Sequence, residues 1–588
     1  MLEAVISWIY ILIVSFSVGY AALYALLGYL GKHNGDKEGS FLLRPLFCVL
    51  AGLCLLTVYA QYFSLFSGVG LAANLLLLIT CVIILFVFRR ELPSFLKASA
   101  VRTGSLNLAV IAFLFLAFAL FTSSGYMHYD SDLYHAQSIR WIEEYGIVPG
   151  LGNLHSRLAY NSAAFPLTAL FSFSFLTGRS LHVMAGLFAF LLSVKILPLF
   201  SVFRTVLKKT GSRENAGPGK SPLFPASQFV RLAALYYLCS VFDEITAPSS
   251  DYFLVLLIFL LSIFWCELSE SSDPPAEDLM ILSLLTPVIF SIKLSGALFV
   301  LLFLYPAVLF LRGKKYRQVL LPALLMILSA APFLIRNVIL SGYLLYPFPG
   351  LDLFSFDFKI PAGMAAYDAA EIGAYGRGLK SALLFDTPFR GWFPLWLSSL
   401  GFIDRISFVL SVLCLPVLLF AFFLRFLRKK ESGCAIMILC AVTAASFAFW
   451  FLNAPLVRYG CVYLYLLPAL TAGLLSKPLS ERLSSRPAGR RSALMLGSAF
   501  LLLFLLYKGG LFVKDLRAML PRYRAHILSQ QDYGDYSDVI DTFVLDGITF
   551  YFPAEGDRTG YGYFPSAPLL REDLELRGKD LRAGFRAK

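Results

Sequence analysis

Long apolar runs recur along the whole chain, and they limit its possible fold more than any other feature. Two of them read LAANLLLLITCVIILFVF and DYFLVLLIFLLSIFW. Segments of roughly 17–25 apolar residues are long enough to cross a bilayer as helices. Of the 588 residues, 58% are hydrophobic and 15% are charged, whereas soluble domains carry about 25% charged residues. The sequence therefore predicts a helical membrane protein with many spans.

We predict an all-α polytopic transmembrane bundle of about 12–14 spans. The predicted spans cover residues 4–29, 41–60, 70–88, 105–122, 181–203, 229–243, 251–267, 280–292, 295–311, 319–337, 406–425, 433–451, 461–475 and 492–508. The resulting regions are N-terminal helices (1–104), a core (105–338) with an external loop (123–180), a second external loop (339–405), C-terminal helices (406–508) and an extracytoplasmic tail (509–588).

The net charge of +13 comes largely from short basic stretches between the spans, such as RTVLKKTGSR and RGKKYR. Short basic loops mark the cytoplasmic side of a membrane protein. The basic charge therefore reports topology, and nucleic acid is not expected as a partner. With these loops inside, both external loops, the tail and the turn FDEITAPSSDY face outward.

With the basic loops inside, the chain is outside at Ser123 and inside again at Arg204, so it crosses the membrane an odd number of times between them. Two apolar stretches lie in this segment, and only one of them can cross. The first, AAFPLTALFSFSFLTG, is shorter and contains Pro166, so we expect it to form a juxtamembrane or re-entrant helix. By the same argument, residues 280–311 make two short crossings with a tip at SIKLSG. In the tail, Asp546-Gly547 separates two apolar runs and predicts a β-hairpin.

The external loop contains an unusual acidic and aromatic sequence, HYDSDLYHAQSIRWIEEYG. Its Asp130 and Asp132 precede an amphipathic pattern, so one reading is that they cap a surface helix. A second reading is a reaction centre, because a helix start can hold a carboxylate ionised and ready to accept a proton. A third is a Mg²⁺ or Mn²⁺ site made by these two aspartates. The candidate binding residues beside them are His128, Tyr134 and His135.

The next segment, GLGNLHSRLAYN, carries side chains that can hydrogen-bond sugar hydroxyls or phosphate oxygens. These are Asn153, His155, Arg157 and Tyr160. The alternative is a loop that packs against the preceding helix. Many aromatic residues near the outer ends of the spans are typical of an interfacial belt.

Three cations stand where spans reach the outer surface: Lys293, Arg336 (followed by Asn337) and Arg458. A charge near the membrane is costly unless it is paired or functional. One alternative is that each side chain extends along its span, so that its charged group reaches the water at the membrane surface. Together they suggest a cradle for a lipid phosphate, since arginine has a planar fork suited to phosphate.

These features resemble the GT-C superfamily of integral-membrane glycosyltransferases. Asp130 and Tyr134 have the spacing of the catalytic acid and the tyrosine in the first external loop of that superfamily, and AAFPLTALFSFSFLTG is similar to the juxtamembrane helix that follows. Ser131 stands where many relatives have a second acid, which leaves Asp132 as its substitute. The tip SIKLSG resembles the lysine-bearing tip of lipid-donor sugar transferases.

The chain also resembles a family of bacterial polytopic membrane proteins. The similarity is carried by DSDLYHAQSIRWIEEYGIVPGLGNLHSRLAYN, IRNVILSGYLLYPF, APLVRYG and the tail sequence LRGKDLRAGFR.

The GT-C resemblance implies an inverting transferase at the outer face of the bacterial cytoplasmic membrane. It would move a sugar from a polyprenyl-phosphate donor to a cell-envelope glycan, lipid or protein acceptor. Asp130 would be the base, and Lys293, Arg336 and Arg458 would stabilise the departing phosphate. Two alternatives stay open: a flippase or transporter of a lipid-linked glycan, and a polymerase or ligase that uses a pyrophosphate-linked oligosaccharide.

Overall fold

The computed structural model describes residues 1–31, 42–200, 225–271, 274–428, 433–484, 487–569 and 571–588. The helices are α1 (Leu2–Tyr29), α2 (Pro45–Ser64), α3 (Leu71–Val87), α4 (Glu91–Thr103), α5 (Ser105–Ser123), α6 (Ala136–Glu144), α7 (Ala164–Leu170), α8 (Met184–Ile196), α9 (Ala226–Val241), α10 (Ser250–Ser269), α11 (Ala276–Ser283), α12 (Thr286–Ile292), α13 (Leu304–Arg312), α14 (Arg317–Ser341), α15 (Ala362–Gly376), α16 (Phe389–Ser399), α17 (Phe402–Arg428), α18 (Cys434–Asn453), α19 (Val457–Ser484) and α20 (Pro487–Ala525). The strands are β1 (Ile540–Leu545), β2 (Ile548–Pro553), β3 (Leu574–Leu576) and β4 (Phe585–Ala587).

The predicted all-α polytopic bundle is confirmed. Within the described ranges, ten helical segments are long and apolar enough to cross a membrane, or eleven if α3 and α4, bent by 86°, form one span. This number is below the predicted 12–14 because some expected spans are short helices, among them α8, α9, α11 and α12. Residue 41 and residues 201–203, at the edges of two predicted spans, lie outside the described residues, as does the basic stretch RTVLKKTGSR.

Helix α10 is the centre of the bundle. Its most apolar window is 89% buried, whereas those of α17 and α20 are 17% and 11% buried. The helix is apolar on every side, which suits a position surrounded by other helices. It packs against α8, α9, α18 and α19. The outer end of α10 therefore lies where several helix ends meet.

The first two helices cross with their backbones in contact. A Cβ atom added at Gly19 or at Gly52 would lie 1.8 Å from a backbone oxygen of the other helix. Small residues of this kind let membrane helices approach closely, because lipid provides little hydrophobic force to hold them together.

Two segments have the geometry that the topology argument required. Helix α7 has seven residues, which at about 1.5 Å each is too short to cross a hydrocarbon core of roughly 30 Å. Helix α12 packs against the 3-10 helix Leu294–Phe303, with Lys293 at the turn between them.

The tail begins later than predicted. Helix α20 continues through Gly509 and Gly510 to Ala525, instead of ending near residue 508. Each glycine costs a helix only about 1 kcal/mol, and helix-forming residues flank the pair.

The expected hairpin is confirmed: β1 pairs with β2, and Asp546 and Gly547 take left-handed φ values of 51° and 83°.

Three polar regions pack together at one end of the bundle. Arg571 donates a 2.6 Å hydrogen bond to the carbonyl oxygen of Asn153. The Arg577 guanidinium pairs with Asp357, with 2.8 Å between Nε and Oδ2, and Gln137 donates to the carbonyl oxygen of Gly560 at 2.8 Å. We call the regions 123–180, 339–405 and 526–588 together the cap.

This arrangement predicts labelling from one side of the membrane. Leu383→Cys and Leu569→Cys place thiols at cap positions that are 86% and 70% exposed. We expect a membrane-impermeant maleimide to label both from the same side. Lys315→Cys, in the turn between α13 and α14 at the other end of the bundle, should react only from the opposite side. Labelling of Leu383→Cys and Lys315→Cys from one side would contradict this topology.

Candidate active site

Asp130 meets Arg458 where the cap rests on the bundle. Asp130 precedes the π-helical turn Ser131–His135, and Arg458 belongs to the first turn of α19. The guanidinium donates from Nη2 to Oδ2 of Asp130 at 2.9 Å. Its other terminal nitrogen contacts Nε2 of His128. One arginine from the bundle therefore holds both the acid and the imidazole of the external loop.

A second carboxylate extends this network into the bundle. Asp251 lies in the first turn of α10, and its Oδ2 is 3.8 Å from Nε of Arg458. The ammonium of Lys293 forms an ion pair with the other oxygen of Asp251 and lies 3.6 Å from the ring centre of Tyr459. We call the following five residues the charged cluster: His128, Asp130, Asp251, Lys293 and Arg458.

The electrostatics keep Asp130 ionised. Burial acts to raise the pKa of Asp130, but the positive charge of Arg458, supported by that of Arg157, outweighs it, and the pKa is lowered. Burial, reinforced by Arg458, lowers the pKa of His128, and burial lowers the pKa of His135 to about 3. The site therefore presents an anionic carboxylate between neutral imidazoles at neutral pH.

Aromatic side chains of the cap stand beside the cluster. The Tyr134 ring lies 4.4 Å from the ring of His135 and 5.7 Å from that of Tyr160, measured between centroids. Tyr160 donates a 2.9 Å hydrogen bond to Oδ1 of Asp368 on α15. Burial raises the pKa of Asp368. The second external loop thus places an acid beside these aromatic rings.

Arg157 is the cation of this region whose charge is least compensated. Within the described ranges it makes no side-chain hydrogen bond and no ion pair. Burial acts to lower its pKa, but the electrostatic influence of Tyr160, Asp130 and Tyr134 outweighs it, and the pKa is raised. A half-buried guanidinium near Asp130 is therefore available to an anionic ligand.

Comparison with known families places this geometry in context. The chain belongs to the DUF8201 family. That family, described as a domain of unknown function, matches residues 1–465. The match includes every member of the charged cluster and ends before the tail. No curated protein and no solved structure matches the chain.

Asp132, predicted as the second catalytic acid, instead holds the tail. Its carboxylate accepts hydrogen bonds from the backbone N–H of Gly534 at 2.9 Å and from the hydroxyl of Tyr536 at 3.1 Å. Its carbonyl oxygen accepts from the N–H groups of Thr559 and Gly560 at 3.2 and 2.9 Å. Burial raises the pKa of Asp132. The two aspartates of this loop therefore have different partners.

The metal alternative depended on these two aspartates. In the part of the chain that the structure describes, no three His, Cys, Asp or Glu side chains are placed to hold a metal ion. A Mg²⁺ or Mn²⁺ requirement stays a prediction from the sequence.

The expected convergence of three cations is wrong for Arg336. Its Nε donates to Oδ1 of Asn161 at 2.9 Å, and it shares no contact with the charged cluster. Asn337 accepts from Asn161 at 3.2 Å, and Asn153 donates to the carbonyl oxygen of Phe358 at 2.7 Å. His155 is half-buried, and desolvation lowers its pKa to about 3. These residues pack the cap against the bundle.

Two acids of the site were missed by the sequence analysis. Asp251 had a signal, because it follows two serines at the outer end of a strongly apolar span. Asp368 had none, since it lies in a small-residue helix of ordinary composition and meets Tyr160 only through the tertiary fold.

Removal of Arg458 should destabilise the protein. In Arg458→Leu, Asp130 loses its hydrogen-bonded cation while its side chain is only 17% exposed. Breaking a buried pair costs 3–5 kcal/mol; because Arg458 is 32% exposed, we expect a loss of about 2 kcal/mol. Thermal unfolding in detergent measures it. The matched control is Arg586→Gln, which breaks the exposed pair with Glu575 and should cost less than about 1 kcal/mol.

The effect of Arg458→Leu should depend on pH in a defined direction. The pKa of Asp130 is lowered in the folded protein, so its pairing energy is present above its unfolded pKa of about 3.9 and is lost as the pH falls through the folded value. The difference in Tm between wild type and Arg458→Leu should therefore shrink below about pH 4. A difference that grows on acidification would contradict the assignment.

Proposed function

We propose that this protein is an inverting membrane glycosyltransferase. It transfers a sugar from a polyprenyl-phosphate donor to a cell-envelope glycan, lipid or protein acceptor on the outer side of the bacterial cytoplasmic membrane. The observation that supports this most is the ionised Asp130 beside the paired guanidinium of Arg458 and the unpaired one of Arg157. An anionic base next to cations is what displacement of a phosphate by a hydroxyl requires.

Asp130 acts as the general base. Its carboxylate accepts the proton of the acceptor hydroxyl while that oxygen forms a bond to the anomeric carbon of the sugar. The bond between this carbon and the phosphate oxygen breaks, and its electron pair leaves with the polyprenyl phosphate. A single direct displacement inverts the configuration and needs no covalent enzyme intermediate. The hydroxyl becomes acidic as its oxygen bonds to carbon, so a carboxylate with a low pKa suffices.

The charge of the site favours a monophosphate donor. Asp130 and Asp251 offset Arg458 and Lys293. Arg157 leaves a surplus of one positive charge when Asp368, whose pKa is raised by burial, is protonated. A sugar linked through a phosphodiester carries one negative charge, which this surplus matches. A pyrophosphate-linked donor carries two, so the charge balance favours the transferase over the polymerase or ligase alternative.

The transporter alternative depended on ionisable groups inside the bundle, of which Lys195 was the clearest. Lys195 and Arg231 both pair with Glu267, which lies near the end of α10 opposite to Asp251. This network joins α8, α9 and α10 to one another, and both cations are held by the single carboxylate of Glu267.

Asp130→Asn should abolish sugar transfer, because an amide cannot accept the proton. We expect a loss of at least about 10² in kcat, on the order of other general-base removals. Tm should fall by less than it does in Arg458→Leu, because asparagine loses the charge but keeps an oxygen that accepts the hydrogen bond of Arg458. The assay uses purified protein, radiolabelled polyprenyl-phosphate sugars and native membrane extract as the acceptor source. It follows sugar transfer and the release of polyprenyl phosphate or pyrophosphate.

Asp132→Asn is the matched control, since it changes the same group two residues away. It should loosen the tail, which limited proteolysis detects, and keep turnover within a few-fold of wild type. Equal activity of wild type and Asp130→Asn would remove Asp130 from the mechanism. Movement of an unchanged labelled lipid across the membrane would identify a flippase.

Arg157→Gln tests the phosphate contact. Because Arg157 makes no ion pair within the described part of the chain, the substitution should leave Tm unchanged. It should lower kcat/KM about 10²-fold by removing a cation that faces the developing charge. Arg157→Lys should recover part of the loss, since lysine keeps the charge without the planar fork. An unchanged kcat/KM in Arg157→Gln would place the phosphate elsewhere.

A further inference from the structure

Arg336 is a buried cation with only neutral partners. Its side chain, 2% exposed, donates to Asn161 Oδ1 at 2.9 Å and to the carbonyl oxygen of Gly146 at 3.4 Å, and it contacts the hydroxyl of Ser64. The described residues place it in no ion pair. Arginine stays charged in proteins, and a buried charge without a counter-charge is costly. The surroundings of Arg336 therefore call for an anion.

A small cavity lies beside this guanidinium. Its volume is about 10 Å³, and its lining includes Ser138, Trp141, Asn161 and Arg336. This space holds roughly one water-sized particle. It is therefore too small for a sugar or a phosphate ester, which separates it from the proposed donor site.

Beside apolar side chains such as Leu158 and Phe165, the cavity lining contains hydrogen-bond donors that have no partner. The indole N–H of Trp141 is buried and has no partner. Among the described residues, the Ser138 hydroxyl and the Nη2 group of Arg336 make no hydrogen bond either. Asn161 directs its side-chain oxygen to Arg336 and its amide to the carbonyl oxygen of Phe333. The guanidinium and the indole can only donate, and the Ser138 hydroxyl can turn its hydrogen toward the same point. Two groups that can only donate, one of them cationic, favour a small anion over a water molecule.

We propose that this cavity binds a chloride ion as the counter-ion of Arg336. The ion accepts hydrogen bonds from Arg336, Ser138 and Trp141. These residues belong to α14 and α6, and the partners of Arg336 add the end of α2 and the loop before α7. The chloride thus joins the cap to the membrane helices at the base of the loop that carries Asp130.

Thermal unfolding of the purified full-length protein tests this site at constant ionic strength. Replacing sodium gluconate with sodium chloride should raise Tm by a saturable increment of about 2–3 °C, because a ligand that binds only the folded state stabilises it by mass action. Bromide should substitute for chloride, whereas gluconate is too large to enter.

Trp141→Phe and Ser138→Ala each remove one donor and keep the packing, and each should weaken the halide dependence at least several-fold. Arg336→Met should abolish it. If Arg336→Met does not fold, the two conservative variants decide. Equal Tm of wild type in chloride and gluconate would show that the cavity holds water, and the proposal would be wrong. A halide effect of the same size in Trp141→Phe, Ser138→Ala and wild type would show a general salt effect and would also overturn it.

Neither outcome depends on sugar transfer, because the readout is stability. The chloride proposal and the transferase proposal can therefore fail separately.

Discussion

The ion pairing of Arg458 organises the end of the bundle that carries the cap. Its guanidinium joins the external loop, through Asp130 and His128, to the central helix, through Asp251. Asp130 and Asp251 each lie more than 200 residues from Arg458 in the chain, so no local preference could assemble them. An unpaired charge at a membrane boundary raises the free energy of the folded protein, and an ion pair with an opposite charge reduces this cost. This condition fixes where the loop rests and which way its carboxylate faces.

The cap surrounds that contact with further hydrogen bonds and aromatic packing. Asp132 attaches the tail, Asp368 meets Tyr160 from the second loop, and the Trp141 ring packs on Phe564 at 4.7 Å. Each of these contacts joins two regions that are distant in sequence. Asp130 and the neighbouring cations are therefore held by contacts from several parts of the chain, as the proposed transfer, which must align a hydroxyl, a sugar carbon and a phosphate, requires.

The sequence predicted the parts of this architecture that local physics decides. Apolar length identified the bundle, the topology argument selected the segment that forms the short helix α7, and Asp546-Gly547 specified the hairpin. It was less successful where tertiary contacts decide. The sequence alone does not distinguish Asp130 from Asp132, because both precede the same amphipathic helix. In the structure, Asp130 bonds Arg458 and Asp132 bonds Gly534. Arg336 resembled Lys293 and Arg458 in its position along a span, but its side chain turns toward Asn161. Asp368 could be identified only from its neighbours in space.

The docking of the tail on Asp132 also has a consequence for biogenesis. The tail follows every span in the sequence, so it is synthesised after the bundle has threaded through the membrane. If one span failed to insert, the tail would emerge on the wrong side and could not reach the loop it must hold. Closure of the cap thereby acts as a check on insertion. Chains with correct topology acquire an ordered loop around Asp130, and mis-threaded chains expose unpaired polar groups to cellular quality control.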